Sequence, residues 1–173
     1  MLNILRKRRS IRQYTPTTLS LETMTQLQEA VLRSPSSRGQ DPWEFIFVTD
    51  KDLLGDLATA KPRHAHFLRD AALGVVILGD DSLADTWIED CSIATIILQL
   101  ACTSLDLGSC WIQIRGREYQ PGVSAEERVR ELLHIPDNFR VLAIVSIGHP
   151  AETAQAHQRQ SLKENKIKMN FFK

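Results

Sequence analysis

The segment from about Leu83 to Leu107 constrains this chain more than any other. Past Cys91 it is apolar on most sides, through Ile93, Ala94, Ile96, Ile97, Leu98, Leu100, Ala101 and Leu105. A helix apolar nearly all round has to lie in a core or against a second chain. Thr95 and Gln99 interrupt the run, which falls short of the roughly 18 residues a membrane span requires. A soluble protein with no membrane association is therefore expected. Gly108 stands where a helix-ending glycine belongs.

The flanking segments read as shorter elements. A short helix from the first residues ends near Arg9. Ser20 caps a second helix, whose Leu21, Met24, Leu27, Ala30 and Val31 share a face until Ser34-Pro35 stops it. Trp43–Val48 has the aromatic and β-branched content of a strand, and Asp50 caps a helix reaching about Ala60. Gly74–Leu78, Ser109–Ile114 and Arg140–Ile147 read as further strands. Ser124-Ala-Glu-Glu127 is a capping box opening a helix that ends before Pro136. At 173 residues, 43% of them hydrophobic and 24% charged, the chain suits one domain spanning 1–173.

Three cysteines without CxxC spacing, Cys91, Cys102 and Cys110, read as buried free thiols. The first residues lack a secretory apolar core and cleavage site. A cytoplasmic location is the expectation.

Net charge is zero, but its distribution is uneven. Arg6, Lys7, Arg8, Arg9 and Arg12 precede any acid, Lys163, Lys166, Lys168 and Lys173 mark the other end, and 41–106 is mostly acidic. Two basic ends suit either one shared anion or a polyanion. Alternating strands and helices would ordinarily indicate a parallel, doubly wound sheet. Its glycine fingerprint is missing: there is no GxG and no GxxxxGK[ST]. Any phosphate must therefore be held by side chains.

Three segments could carry such chemistry. Arg8-Arg-Ser-Ile-Arg12 places guanidinium forks and a hydroxyl within five residues, a donor set that matches phosphate oxygens. A basic leading helix is more often just a solvated face. Ser34-Pro-Ser-Ser-Arg-Gly-Gln-Asp-Pro-Trp43 has small residues that let backbone approach a flat ligand, yet it also reads as an ordinary connecting loop. Trp87–Ala94 and Gly108–Gln113 read mainly as core, except Gln113, whose amide could pair with a heterocycle edge. His64 and His66 form HxH without a third ligand nearby and read as surface residues, so no metal site is expected. Local hydrolase signatures are absent.

Taken together, RRSIRQY, SPSSRGQDPWEFIFV, WIEDCSIA, LGSCWIQIR and LLHIPDNFRVLAIVSIGHP occur in an order and spacing that resembles the nitroreductase family over roughly residues 3–150. The chain is similar to the family's short members. That resemblance implies an α+β fold with helices either side of a central, mostly antiparallel sheet (α/β/α layers), in an intertwined homodimer with FMN at the interface. It implies that Arg8, Arg9, Ser10 and Arg12 bind the FMN phosphate and ribityl groups. Pro35, Ser36, Ser37 and Arg38 match the loop that a second subunit lays against the flavin. Trp111, Ile112 and Gln113 fall where the family approaches the ring, and Lys61 falls near its pyrimidine edge. Gly39 and Asp41 depart from the family's usual Asn and Gln or Arg, and Lys168 stands where short relatives carry His. The terminal Phe171-Phe172 suggests docking onto another subunit.

The activity so implied is reduction of nitroaromatic or quinone-like acceptors by NADH or NADPH in a ping-pong scheme. FMN carries the chemistry, and no catalytic side chain is required. The alternatives are a specialised flavin reduction on the same fold, such as reductive dehalogenation, or a non-enzymatic anion- or nucleic-acid-binding module. The last is disfavoured by 6% aromatics and no nucleic-acid motif.

Overall fold

Local caps and breakers set the helices in place. The computed structural model describes residues 1–172; Lys173, at the end of the basic tail, lies outside them. Helix α1 spans Leu2–Lys7 and stops short of Arg9, because the backbone is already extended at Arg8 (φ −56°, ψ 127°). Arg8 and Arg9 thereby join an extended segment instead of a helix face. Helix α2 (Leu21–Leu32) opens on Ser20, whose hydroxyl accepts the Thr23 N–H at 3.1 Å. Strand β1 is Trp43–Val48, and α3 (Lys51–Thr59) is capped by Asp50 accepting the Leu53 N–H at 2.8 Å.

Strand β2 is Leu73–Asp80 and α4 is Trp87–Ser104. The expected start of α4 at Leu83 is wrong. Asp80 draws the Ser82 N–H (2.9 Å) and hydroxyl (2.6 Å) into a turn before the helix can begin. Nor does Gly108 end α4: Asp106 takes the left-handed position (φ 54°), and Gly108 opens strand β3 (Gly108–Gln113). Glycine is required there for another reason, since a Cβ would come within 2.6 Å of Ile11 Cγ2. A small hairpin of β4 (Glu118–Gln120) and β5 (Val123–Ser124) leads into α5 (Ala125–Leu133) through the Ser124/Glu127 capping box, and β6 is Phe139–Gly148.

The main sheet has the order β1-β2-β6-β3, and every neighbouring pair is antiparallel. Because β2 and β3 both oppose β6, they run parallel to each other with α4 as their crossover. The alternation of strand and helix is thus a split βαβ unit with β6 inserted between its strands. Each face of the sheet carries its own core. On one lie Leu54 and Leu57 of α3 and Val129 of α5, against Val76, Ile112 and Ile144. On the other lie Leu27 and Val31 of α2 and Cys91 and Leu98 of α4, against Val75, Ile77 and Val145. Both central strands are covered twice, which makes their sequences continuous apolar runs. No described helix is long and apolar enough to cross a membrane.

Candidate functional site

The segment after α1 crosses the start of β3. Ser10 bridges Ser109 in parallel, and the Ile11 N–H donates to the Ser109 carbonyl at 3.0 Å. The segment then turns along the end of β6, where Tyr14 bridges Pro150. Glu152 fastens the turn, its carboxylate accepting the backbone N–H groups of Arg12 (2.5 Å) and Gln13 (3.2 Å). Arg9 donates to the Gln155 carbonyl. Arg8, Arg9 and Ser10 are half-buried, while Arg12 is exposed over the Phe67 ring at 5.8 Å.

Past Ser109, the outer edge of β3 carries no further strand among the described residues. The Ser109 carbonyl points outward to Ile11, so strand alternation turns the backbone groups of Trp111 and Gln113 outward as well. Ile112 does the opposite: its backbone faces β6 and its side chain is buried. The Gln113 side chain is occupied within the chain. Its Oε1 accepts from Trp111 Nε1 at 3.0 Å and its Nε2 donates to the Arg115 carbonyl at 2.8 Å. What this edge offers a ligand is therefore backbone, with the Gln113 amide committed elsewhere.

Cations collect around that edge. The Cys110 thiol is buried beneath it, and burial raises its pKa against the opposing effects of Arg12, a hydrogen bond from Ser10, and Arg8. Lys61, half-buried just after α3, has its pKa lowered by burial and by the nearby charge of Arg117. Among the described residues, Arg8, Arg9, Arg12, Lys61 and Arg117 make no ion pair. Several cations near one another without an ion-pair partner favour a bound anion. A small cavity of about 220 Å³ lies at the start of β3, lined by Lys7, Arg8 and Arg9 and also by Asp106 and Glu152. It is smaller than the roughly 300–1,000 Å³ of sites that enclose a drug-sized ligand. A larger space of about 880 Å³ opens between α1 and the tail, lined by Leu2, Leu5, Leu162 and Ile167. Arg6, His157, Gln158, Arg159, Lys163 and Glu164 line it as well.

The remaining predicted site residues are elsewhere. Pro35, Ser36, Ser37 and Arg38 sit at the start of α4, where the Ser37 N–H donates to Asp90 at 2.9 Å. Arg8 and Arg9 sit at its other end, beside Thr103. Asp90 and Thr103, the α4 residues they adjoin, lie 13 positions apart, which separates the two groups by about 20 Å at 1.5 Å per residue. One chain does not bring them together. The loop is also strained: Arg38 (φ 56°) and Asp41 (φ 46°) adopt left-handed backbone, as does Gly39 (φ 64°). That conformation costs a non-glycine residue about 1–2 kcal/mol. Asp90 escaped the sequence reading because its partner is 53 positions away, a distance at which no local pattern could reveal it. His64 and His66 are exposed, and no described group of three or more His, Cys, Asp or Glu residues could hold a metal ion.

Comparison with known proteins agrees with this architecture. The family model for the nitroreductase family matches residues 5–65 and 53–149. A protein of Archaeoglobus fulgidus, provisionally described as an NADH dehydrogenase/NAD(P)H nitroreductase, is 34% identical over 155 residues, covering 87% of this chain and 86% of its own. The solved structure of an FMN-dependent nitroreductase from Clostridium difficile R20291 superimposes with a TM-score of 0.97 at 40% identity, covering 99% of this chain and 100% of that one. A Parabacteroides distasonis structure with the same provisional description as the archaeal protein gives 0.89 at 30% identity, covering 99% and 98%.

Proposed function

Because the chain belongs to the nitroreductase family, we propose that it is an FMN-dependent oxidoreductase, using NADH or NADPH to reduce nitroaromatic or quinone-like acceptors in alternating half-reactions. The observation that carries this reading is the set of unpaired cations beside the bare edge of β3. The donor set fits FMN. Arg8, Arg9, Ser10 and Arg12 would hold the phosphate and ribityl groups, Lys61 the electron-rich pyrimidine edge, and the backbone of Trp111 and Gln113 the ring margin. The similar Clostridium difficile protein is FMN-dependent by description. When bound, FMN supplies the chemistry, accepting a hydride and passing electrons on. The residues of this chain bind and orient it, and none is needed as nucleophile or base.

The working unit on this reading is a homodimer of the 1–173 domain. Ile93 and Ile96 are 40% and 39% exposed on α4, with Leu100 half-buried on the same stripe. Pairing two such helices antiparallel across a two-fold axis covers the stripe. It also sets the 35–38 loop of one copy beside Arg8–Arg12 of the other, completing two sites at once. The tail, with Met169, Phe171 and Phe172 exposed, has apolar surface to place on a second copy as well. Three free, buried cysteines suit a reducing cytoplasm.

The absorption spectrum of the purified protein tests the reading. Flavin bands are expected, with FMN released on denaturation, bleaching by NADH or NADPH, and recovery on adding a nitroaromatic or quinone. Halogenated phenols in the same assay probe the specialised alternative. A colourless protein that takes up no added FMN overturns the proposal.

A further inference from the structure

Residues 36–41 are tied to the start of α4 more firmly than a connecting loop requires. Asp90 is buried, and its two oxygens are used separately: Oδ1 accepts the Ser37 N–H at 2.9 Å and Oδ2 accepts the Thr86 hydroxyl at 3.1 Å. Among the described residues it pairs with no cation. A carboxylate suits the position because it accepts from two donors and presents none of its own. Asp41 grips Ser36 from both sides, its N–H donating to Ser36 Oγ at 2.9 Å and its Oδ1 accepting the Ser36 hydroxyl at 2.5 Å. Gln40 Nε2 donates to the Leu83 carbonyl at 3.0 Å. These ties hold the left-handed backbone at Arg38, Gly39 and Asp41. Strain of that kind persists only where the surroundings over-determine it.

We infer that Asp90, with Asp41 as an outer clasp, is a positioning residue for the flavin site of the opposite copy, fixing the loop so that the Ser37 hydroxyl and the Arg38 guanidinium are the groups it offers. Neither of those groups bonds to any other described residue, whereas the Ser36 hydroxyl is fully used within the loop. This role rests on the FMN reading above. It also gives Asp41 a purpose: the departure from the family's usual residue is a clasp on the loop.

Asp90→Asn replaces one acceptor by a donor at almost unchanged volume. The apo-dimer of D90N should bind FMN about 10-fold or more weakly in a fluorescence titration, with its dimer mass unchanged. Asp41→Gly, at an exposed position where glycine accepts the positive φ, should act in the same direction, and it carries the test if D90N fails to fold. Mixed dimers separate positioning across the interface from general loosening. A D90N chain paired with an Arg12→Ala chain has one site with both faults and one with neither, so it should hold FMN in one site of two. Loss of both sites in the mixed dimer would show that Asp90 acts within its own chain and would overturn the inference. Wild-type affinity in the D90N and D41G homodimers would overturn it too. A wild-type protein that takes up no FMN fails the flavin reading itself, and this role with it; a wild type that binds beside unaffected variants fails the role alone.

Discussion

Single residues act here mostly through what they leave unpaired. Arg12 is exposed, makes no ion pair among the described residues and lies over Phe67, so removing its guanidinium should barely affect folding. If it holds the flavin, its loss should remove a charge-assisted bond worth about 1.5–3 kcal/mol. Arg12→Ala is therefore expected to weaken FMN binding about 10–100-fold with little change in Tm, as measured by titrating the apoprotein and by thermal melting. Local rules identified the caps at Ser20, Asp50 and Ser124, because each is completed within three residues. They misassigned Gly108, whose constraint comes from Ile11 across the fold. They credited Gln113 with a free amide that Trp111 and Arg115 already occupy. They read Ile112 as core, and strand alternation buries it; only the family resemblance placed it near the flavin.

Among the elements, α4 was the most legible and the least complete. Its apolar circumference demanded cover, but sequence could not apportion that cover between the sheet and a second chain. The structure buries Cys91, Ala94, Leu98 and Cys102 and leaves Ile93 and Ile96 in the open. Ile96→Glu is consequently tolerable in a lone chain and severe in a pair, where a buried, unmatched charge costs several kcal/mol. The variant should sediment as a folded monomer, its dimer dissociation constant raised on the order of 100-fold or more, and it should lose FMN; an unchanged dimer would remove α4 from the interface. Strand direction was hidden for a different reason. With both faces of β2 and β6 covered, hydrophobic alternation vanishes. Nothing local then reports that β6, the last strand of the main sheet, inserts between β2 and β3.

At the level of the whole molecule, burial governs the response to pH. Burial pushes the Cys102 thiol up to about 12, and Cys91 likewise to about 12 with the Asp90 charge adding to the effect. Unfolded thiols ionise near 8.5. Between those values the unfolded chain has lost protons that the folded chain keeps, so stability falls as pH rises, by up to about 1.4 kcal/mol per pH unit per thiol. Denaturant titrations from pH 8 to pH 11 should show the midpoint dropping, and Cys91→Ser/Cys102→Ser should flatten that slope while lowering stability at neutral pH. A slope unchanged by the double substitution would locate the effect elsewhere. The bare rim of β3 has a further consequence in the cell. A strand with open hydrogen-bonding groups is a template for any other strand that meets it. If flavin lines that rim, vitamin supply sets how much of this protein survives synthesis as well as how much of it works, and copies made during riboflavin shortage should clump into insoluble material instead of waiting as an idle, soluble reserve.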